Sequence, residues 1–184
     1  SLAAASNGRL YAAPDCASQV LEIDPASSTV RVIGEELPGV CKYKSLVMAR
    51  NGRLYAVPYD ALSVLEVDSE VGTTRLIGRE LPMFCRYVPA RALTAARNGR
   101  LYAMPRNASH LLELQPRTGT TRLIGNTRHG GVDNYRSLII ASNGRLYAVP
   151  FKASRVLEID LEEVRLSWAV LLRQLDNCVN LDST

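Results

Sequence analysis

The sequence lacks any run of eighteen consecutive apolar residues, and this absence excludes a transmembrane helix. A secretory signal peptide is not expected either, because the opening letters SLAAAS are too few and carry no basic region. The first residue is serine rather than methionine, so a targeting segment removed earlier stays an alternative, and with it an organellar or secreted location. We therefore expect a water-soluble chain whose compartment the sequence leaves open.

Aromatic residues are scarce, at 6% of the chain, and they do not alternate with clusters of basic residues. Proteins that bind single-stranded nucleic acid combine such clusters with aromatic rings on which bases stack. The net charge of +4 comes from 22 basic and 18 acidic residues that are interspersed, as on an ordinary solvated surface. We predict no nucleic-acid partner.

Residues that bind metals or react with substrates are few. The chain has four cysteines, namely Cys16, Cys41, Cys85 and Cys178. They show no CxxC spacing, so we expect neither a zinc site nor a disulfide framework and favour free buried thiols. The two histidines, His110 and His129, fall in different kinds of loop and have no reason to converge. Nucleotide-binding and serine-nucleophile motifs are also missing, so we expect no cofactor and no metal.

A six-residue motif, NGRLYA, occurs four times in the 184 residues. Its copies begin at Asn7, Asn51, Asn98 and Asn143. This spacing corresponds to a repeat of about 45 residues, and a fixed period of this size is typical of tandem-repeat folds. The repeat is therefore the unit from which the fold must be inferred.

The second copy predicts four short strands. Their predicted bounds are 46–49, 53–57, 64–68 and 74–77. Asn51-Gly52 joins the first two, and this dipeptide predicts a two-residue type I′ turn, which needs positive φ at both positions. The letters DSEVGT predict a longer hairpin turn between the last two. No copy carries a ten-residue stretch at helical spacing, so each copy predicts four antiparallel strands and a crossing segment, which is a β-propeller blade.

A glutamate on the third strand recurs with an arginine on the fourth. The predicted facing pairs are Glu22–Arg31, Glu66–Arg75, Glu113–Arg122 and Glu158–Arg165. The last copy has lost two residues in this turn, a change that keeps side-chain parity. We interpret the pairs as strand-face ion pairs, each worth well under about 1 kcal/mol if it is exposed. The NGR arginines are expected to pair with Asp or Glu on the adjacent strand; they are Arg9, Arg53, Arg100 and Arg145.

The stretch LYAAPDCASQVLEIDPASSTVRVIG resembles the YVTN-type and NHL-type propeller repeats, and this likeness extends over residues 2 to about 168. The repeat is also similar in sequence to uncharacterised NG(K/R)LY-AP tandem arrays of dinoflagellate algae, which carry no known activity. Prolines stand where YVTN repeats usually have Asn, at Pro14, Pro58, Pro105 and Pro150. The resemblance implies a β-propeller. It also points to propeller gluconolactonases and streptogramin lyase, which use acidic or His residues near the axis, and the matching positions here do not supply them.

The predicted fold is all-β, a propeller of four antiparallel four-stranded blades in a single domain covering the whole chain. The predicted blades span about 1–43, 44–90, 91–135 and 136–169, followed by a non-repeat tail at 170–184. The first strand (2–5) and the last (164–168) complete whole blades, so no strand is left to act as a clasp. We expect the ring to close on itself; an open arc with apolar end faces is the alternative. The end of the last blade and the tail together predict a short helix, whose apolar stripe caps an edge or docks on another protein. Its residues are Trp168, Val170, Leu171 and Leu175.

The innermost strands carry small apolar residues, in the segments LAAA, LVMA, LTAA and LIIA. Such residues supply no catalytic or metal-binding groups, so we do not expect an enzyme. Basic residues recur just before these strands, with tyrosines beside two of them. The candidate binding ring consists of Lys44, Arg91 and Arg136, flanked by Tyr43 and Tyr135. Such a ring would concentrate an anion, a phosphate or an acidic peptide. The alternative is that each basic group is simply solvated at a loop end.

Three functions are compatible with these sequence features. The favoured hypothesis is a non-catalytic scaffold that binds another protein through a propeller face or an open blade edge. The second is a propeller that binds a small anion or sugar through equivalent loop sites. The third is a metal-dependent propeller hydrolase or lyase. Fold alone does not decide between them.

Overall fold

The four repeats fold into four antiparallel four-stranded sheets, which make a four-bladed β-propeller. A computed structural model describes residues 1–81, 93–104, 110–124, 135–161 and 165–168, without the side chains of 136 and 165–168. Among the described residues there is no helix, and hence none with the length and apolarity to cross a membrane. Each sheet follows chain order, so every strand pairs with its neighbour in sequence.

The strands of each blade run from the innermost to the outermost position. The first blade contains β1 (Leu2–Ala4), β2 (Leu10–Ala12), β3 (Val20–Asp24) and β4 (Thr29–Ile33). The second contains β5 (Val47–Met48), β6 (Leu54–Ala56), β7 (Val64–Asp68) and β8 (Thr73–Ile77). The third contains β9 (Leu93–Ala95), β10 (Leu101–Ala103), β11 (Leu111–Gln115) and β12 (Thr120–Ile124). The fourth contains β13 (Tyr135–Ile140), β14 (Leu146–Pro150), β15 (Leu157–Asp160) and β16 (Arg165–Trp168).

The NGR hairpin differs from the predicted type I′ turn. The Ala5 N–H donates to the Arg9 carbonyl at 2.9 Å and the Gly8 N–H to the Ala5 carbonyl at 3.1 Å, which closes a three-residue loop. Gly8 has φ of +79°, whereas Asn7 does not adopt positive φ. The loop is therefore a type I turn followed by a left-handed glycine. The prediction of a type I′ turn was wrong because Asn7 stabilises the turn with its side chain and not with a positive φ: its Oδ1 accepts the Arg9 N–H at 3.0 Å.

The register between the third and fourth strands is as predicted in three blades and wrong in the last. Glu22, Glu66 and Glu113 face arginines of β4, β8 and β12. In the fourth blade, however, Glu158 faces Ser167, and Arg165 faces Asp160. The turn keeps the same length as in the other blades, so the deletion of two residues falls in β16 and moves its arginine toward the turn. Trp168 lies at the end of this strand rather than on a helix.

The hydrophobic core lies between successive blades. Each blade has a trailing face, which the next blade covers, and a leading face, which covers the previous blade. Tyr11, Val20 and Ile33 on the trailing face of blade 1 pack against Leu54 and Leu65 on the leading face of blade 2. Equivalent clusters join blade 2 to blade 3 and blade 3 to blade 4. Because a single sheet cannot bury both of its faces, each blade depends on its neighbours for stability.

The two outermost faces of the array are less covered. Among the described residues, no hydrophobic cluster joins blade 4 to blade 1. On the leading face of blade 1, Leu10 and Leu21 are half-buried, whereas the equivalent Leu54 and Leu65 of blade 2 are fully buried. These exposures favour the open arc over the expected closed ring. The blade boundaries and the tail at 170–184 stay predictions, since the tail lies outside the described residues.

Candidate functional site

The predicted ring of cations is only partly described. Lys44 does not project freely: its Nζ lies 3.6 Å from Asp15 Oδ2 and 4.5 Å from the centre of the Tyr59 ring. Arg91 lies outside the described residues, and of Arg136 only the backbone is described. The described residues therefore do not test whether the three cations converge, and the ring stays a prediction.

The two tyrosines of that ring lie in the core. Tyr43 is buried between blades 1 and 2, and its hydroxyl donates to the Ser63 carbonyl at 2.9 Å. Tyr135 is buried between blades 3 and 4. Burial raises the pKa of both hydroxyls, so both remain protonated. Their positions indicate a role in packing between blades.

A hydrogen-bonded network of five polar groups occupies the trailing face of blade 2. The carboxylate of Glu66 is its centre, accepting from Arg53 Nη1 and Arg75 Nε, each at 2.6 Å. The hydroxyl of Tyr55 donates to the same carboxylate at 2.8 Å. Asn51 Nδ2 donates to the Tyr55 hydroxyl at 2.8 Å. The NGR turn, β6 and β8 thus each supply one direct donor to the buried carboxylate on β7, and Asn51 of the same turn supports the tyrosine.

The network recurs in the other blades with local changes. The central carboxylates of the first three blades, Glu22, Glu66 and Glu113, have at most 4% of their surface exposed. In blade 1, Asn7 and Tyr11 also reach the Ser69 carbonyl of blade 2, at 2.8 and 3.2 Å. The first network therefore ties two blades together as well as three strands.

Part of this network was predictable from the sequence. Pairing of the NGR arginines with acids on the adjacent strand is confirmed, as in Arg53 with Glu66 and Asp68. The Glu–Arg ion pairs of the first three blades are also present, and their glutamates are buried because the next blade covers them. The tyrosine and the asparagine were missed as partners, although both recur at fixed positions in every NGRLYA word. That recurrence was the available signal.

Ionisation follows from this geometry. Burial alone would raise the pKa of Glu66, but hydrogen bonds from Arg75 and Tyr55 and the charges of Arg75 and Arg53 outweigh it and lower the pKa. Burial, together with the hydrogen bond to Glu66, raises the pKa of Tyr55 to about 12. Near neutral pH the site therefore holds a carboxylate and a protonated phenol. Its members Arg53, Glu66 and Arg75 also line a small surface pocket of about 160 Å³.

The lowered carboxylate pKa values predict acid sensitivity. In the folded protein the pKa values of Glu22, Glu66 and Glu113 lie below their ordinary value of 4.5. Their stabilising contribution is therefore complete above about pH 4.5 and is lost as the pH falls through the lower, folded-state values. We expect the free energy of unfolding, measured by urea denaturation with circular dichroism, to be flat from pH 7 to 5 and to fall below pH 4.5. Glu66→Gln should make this fall shallower; an unchanged pH dependence in the variant would contradict the assignment.

A cavity of about 480 Å³ lies among the four innermost strands. Its lining is mainly apolar, with Leu46, Leu93 and Ile139 as examples, and its polar side chains include the hydroxyls of Ser45 and Thr94. Such a lining suits an apolar side chain or small molecule more than an anion. Of the basic residues predicted to bind anions, only the side chain of Lys44 is described, and it does not line this cavity.

The sequence matches no protein-family model and no curated protein, so the YVTN, NHL and algal resemblances are not confirmed. The fold does match solved structures. Virginiamycin B lyase from Staphylococcus aureus superimposes with a TM-score of 0.73 and 12% identity, covering 91% of this chain and 53% of that chain. A putative 6-phosphogluconolactonase from Bacteroides uniformis matches with a TM-score of 0.64 and 18% identity, covering 92% and 52%.

An auxiliary nutrient binding protein from Bacteroides ovatus also matches, with a TM-score of 0.58 and 14% identity, covering 90% of this chain and 40% of that chain. The chain thus spans about half the length of the solved structures that it matches, or less. Proteins of this shape include enzymes and binding proteins, so the likeness supports the propeller fold and leaves the activity to other arguments.

Proposed function

We propose that the protein is a non-catalytic interaction subunit whose open sheet faces bind other propeller blades, with a second copy of the chain as the partner. One observation carries this proposal: within the described parts of the chain, no hydrophobic cluster covers the leading face of blade 1. Leu10, Leu21 and Ile23 are half-buried there, whereas the matching leucines and valine of blade 2 are fully buried. Val30, on the same face, is 61% exposed.

The other end of the array carries the complementary surface. On the trailing face of blade 4, Tyr147 and Val156 are half-buried, whereas Tyr55 and Val64 at the same positions of blade 2 are fully buried. A trailing face that packs against a leading face is the interface already repeated three times within this chain. A second copy presents that same pair of faces, so two copies joined head to tail would cover both ends.

The small-anion hypothesis has no comparable support. Lys44 already pairs with Asp15, and the cavity lining is mainly apolar. This chain aligns with only about half of each matched solved propeller. Two associated copies of this chain would have about the length of one such propeller. This comparison concerns the fold and not the activity of those proteins.

A single substitution on the open face tests the proposal. We expect the wild-type chain, at tens of micromolar, to have a light-scattering mass near twice 20.2 kDa. Val30→Glu should return it to the monomer mass, because a carboxylate buried against an apolar sheet loses its solvation. The matched control is Val71→Glu, at a 72% exposed turn position away from that face, which should leave the mass unchanged. A wild-type monomer, or equal effects of the two variants, would overturn the proposal.

A further inference from the structure

Three potential metal ligands converge beside the second loop of blade 1. A carboxylate oxygen of Asp15 and the sulfur atoms of Cys16 and Cys41 all lie within 4.8 Å of one another. The two cysteines are free, Cys16 exposed and Cys41 half-buried. They are 25 positions apart in the sequence, so the spacing gave no CxxC signal and the fold alone brings them together. The other two cysteines, Cys85 and Cys178, lie outside the described residues.

Backbone hydrogen bonds hold the two segments side by side. The Lys42 N–H donates to the Asp15 carbonyl at 3.1 Å. Cys41 precedes Lys42 and Cys16 follows Asp15, so this hydrogen bond brings the two cysteines close together. On its other side the Cys41 carbonyl accepts from the Asp60 N–H at 3.0 Å. The segment carrying Cys41 is thus fixed between loops of two blades, so its sulfur has a defined position.

Asp15 supplies an independent sign of a missing partner. The Asp15 side chain is 47% exposed and its Oδ2 pairs with Lys44, but its Oδ1 is buried and has no hydrogen-bond partner among the described residues. Leaving a buried carboxylate oxygen unpaired is costly, and such atoms are rare in folded proteins. A bound cation would satisfy this oxygen.

The charges of the surrounding groups also suit a divalent ion. Two thiolates and one carboxylate carry three negative charges, so a divalent ion leaves the cluster with one. Lys44, 3.6 Å from Asp15, supplies one positive charge to balance it. Thiolate ligands favour soft or borderline ions such as Zn²⁺ over Mg²⁺ or Ca²⁺.

The distances are within reach of such an ion. In a tetrahedral site with Zn–S bonds of about 2.3 Å, the two sulfurs stand about 3.8 Å apart. Atoms that already lie within 4.8 Å of one another reach that spacing through small side-chain rotations. The equivalent loop positions of blade 2 hold Tyr59 and Asp60, so the propeller fold itself does not require this pair of ligands.

We propose that Asp15, Cys16 and Cys41 form a binding site for a zinc-like divalent ion, with a fourth position left for water or an external ligand. The ion clips the second loop of blade 1 to the segment that leads into blade 2. Binding releases the thiol protons, since thiolates are the ligands, and it therefore weakens as the pH falls.

Cobalt titration of the full chain tests the site. The protein carries Cys85→Ser and Cys178→Ser, is reduced and freed of metal, and receives Co²⁺. We expect one equivalent to bind with a thiolate-to-cobalt charge-transfer band and the visible bands of a tetrahedral ion, and Zn²⁺ to displace it. Asp15→Asn should weaken binding at least tenfold, and Cys16→Ser or Cys41→Ser should reduce the charge-transfer intensity by about half. The matched control, Glu70→Gln at a hairpin turn of blade 2, should change nothing.

Other results would overturn the proposal. Circular dichroism first establishes that each variant is folded, so a lost signal cannot be attributed to unfolding. Binding that disappears in the Cys85→Ser, Cys178→Ser background would assign the metal to other cysteines. Absence of binding in the reduced protein, or binding indifferent to Asp15→Asn, would remove the site. Formation of a Cys16–Cys41 disulfide in preference to metal binding, measured by counting free thiols under air with Zn²⁺ present, would make the pair a redox couple instead.

Discussion

Replacing Gly34 with alanine should lower the free energy of unfolding by about 3 kcal/mol, the largest loss expected from any single methyl group in this protein. Gly34 has φ of +78°, a conformation that costs an alanine about 1–2 kcal/mol. An alanine Cβ would also stand 2.0 Å from Thr74 Oγ1 and 2.4 Å from its Cγ2. Thr74 lies on β8 of the next blade, so relief of the clash requires the two blades to separate.

Gly99→Ala is the control for this prediction, because it isolates the backbone cost. Gly99 also has φ of +78°, but no atom of the described residues lies within 4 Å of its added Cβ. Its substitution should therefore cost only the backbone contribution of about 1–2 kcal/mol. Urea denaturation of both variants, monitored by circular dichroism, gives the difference. Equal losses would mean that the contact between Gly34 and Thr74 contributes nothing.

A second substitution shows whether the clash is the cause. Thr74→Ala removes the two threonine atoms closest to the added Cβ, so it should restore part of the stability lost by Gly34→Ala. The restoration will be partial, because Thr74 Oγ1 accepts the Glu35 N–H at 3.3 Å and its Cβ would remain only 2.7 Å away. The same contact recurs between Gly78 and Thr121, where the added Cβ would lie 2.5 Å from the threonine. These glycines set how closely successive blades approach.

Glu66→Gln should lower the free energy of unfolding by about 2 kcal/mol. Glutamine keeps the shape of the side chain but removes the charge and turns one acceptor into a donor. Arg53 and Arg75 then face an amide, and the Tyr55 hydroxyl loses its charged acceptor. Breaking a fully buried pair costs about 3–5 kcal/mol. The lower figure follows because the two arginines are 38% and 59% exposed and water screens them.

Glu158→Gln provides the matched control in blade 4. Its side chain is 15% exposed, against 2% for Glu66, and its cross-strand neighbour is Ser167 instead of an arginine. Arg145 keeps Asp160 as a second partner at 3.0 Å. We expect a loss below about 1 kcal/mol, measured by the same urea denaturation. Equal losses in the two variants would show that burial by the next blade does not strengthen the network.

The strands of the propeller were predictable because their causes are local. Residues 64–68 were predicted to the residue, since alternating side chains lie between two turns with strong sequence signals. The NGR turn was correctly placed but given the wrong type, because the sequence does not show whether Asn51 acts through its φ or through its side chain. The register of blade 4 failed for a related reason: the deleted residues came from the strand, and turn length, rather than the Glu–Arg pair, sets the alignment.

By itself, then, the sequence determined the repeat, the number of blades and the order of strands within each sheet, because turns and alternation act over a few neighbouring residues. Only the tertiary structure decided that Glu66 is buried, since the next blade covers it. It also decided that the leading face of blade 1 is less buried than that of blade 2 and that Cys16 and Cys41 meet at Asp15. These features depend on contacts between segments far apart in the chain. Identical sequence motifs therefore differ in burial according to what packs against them.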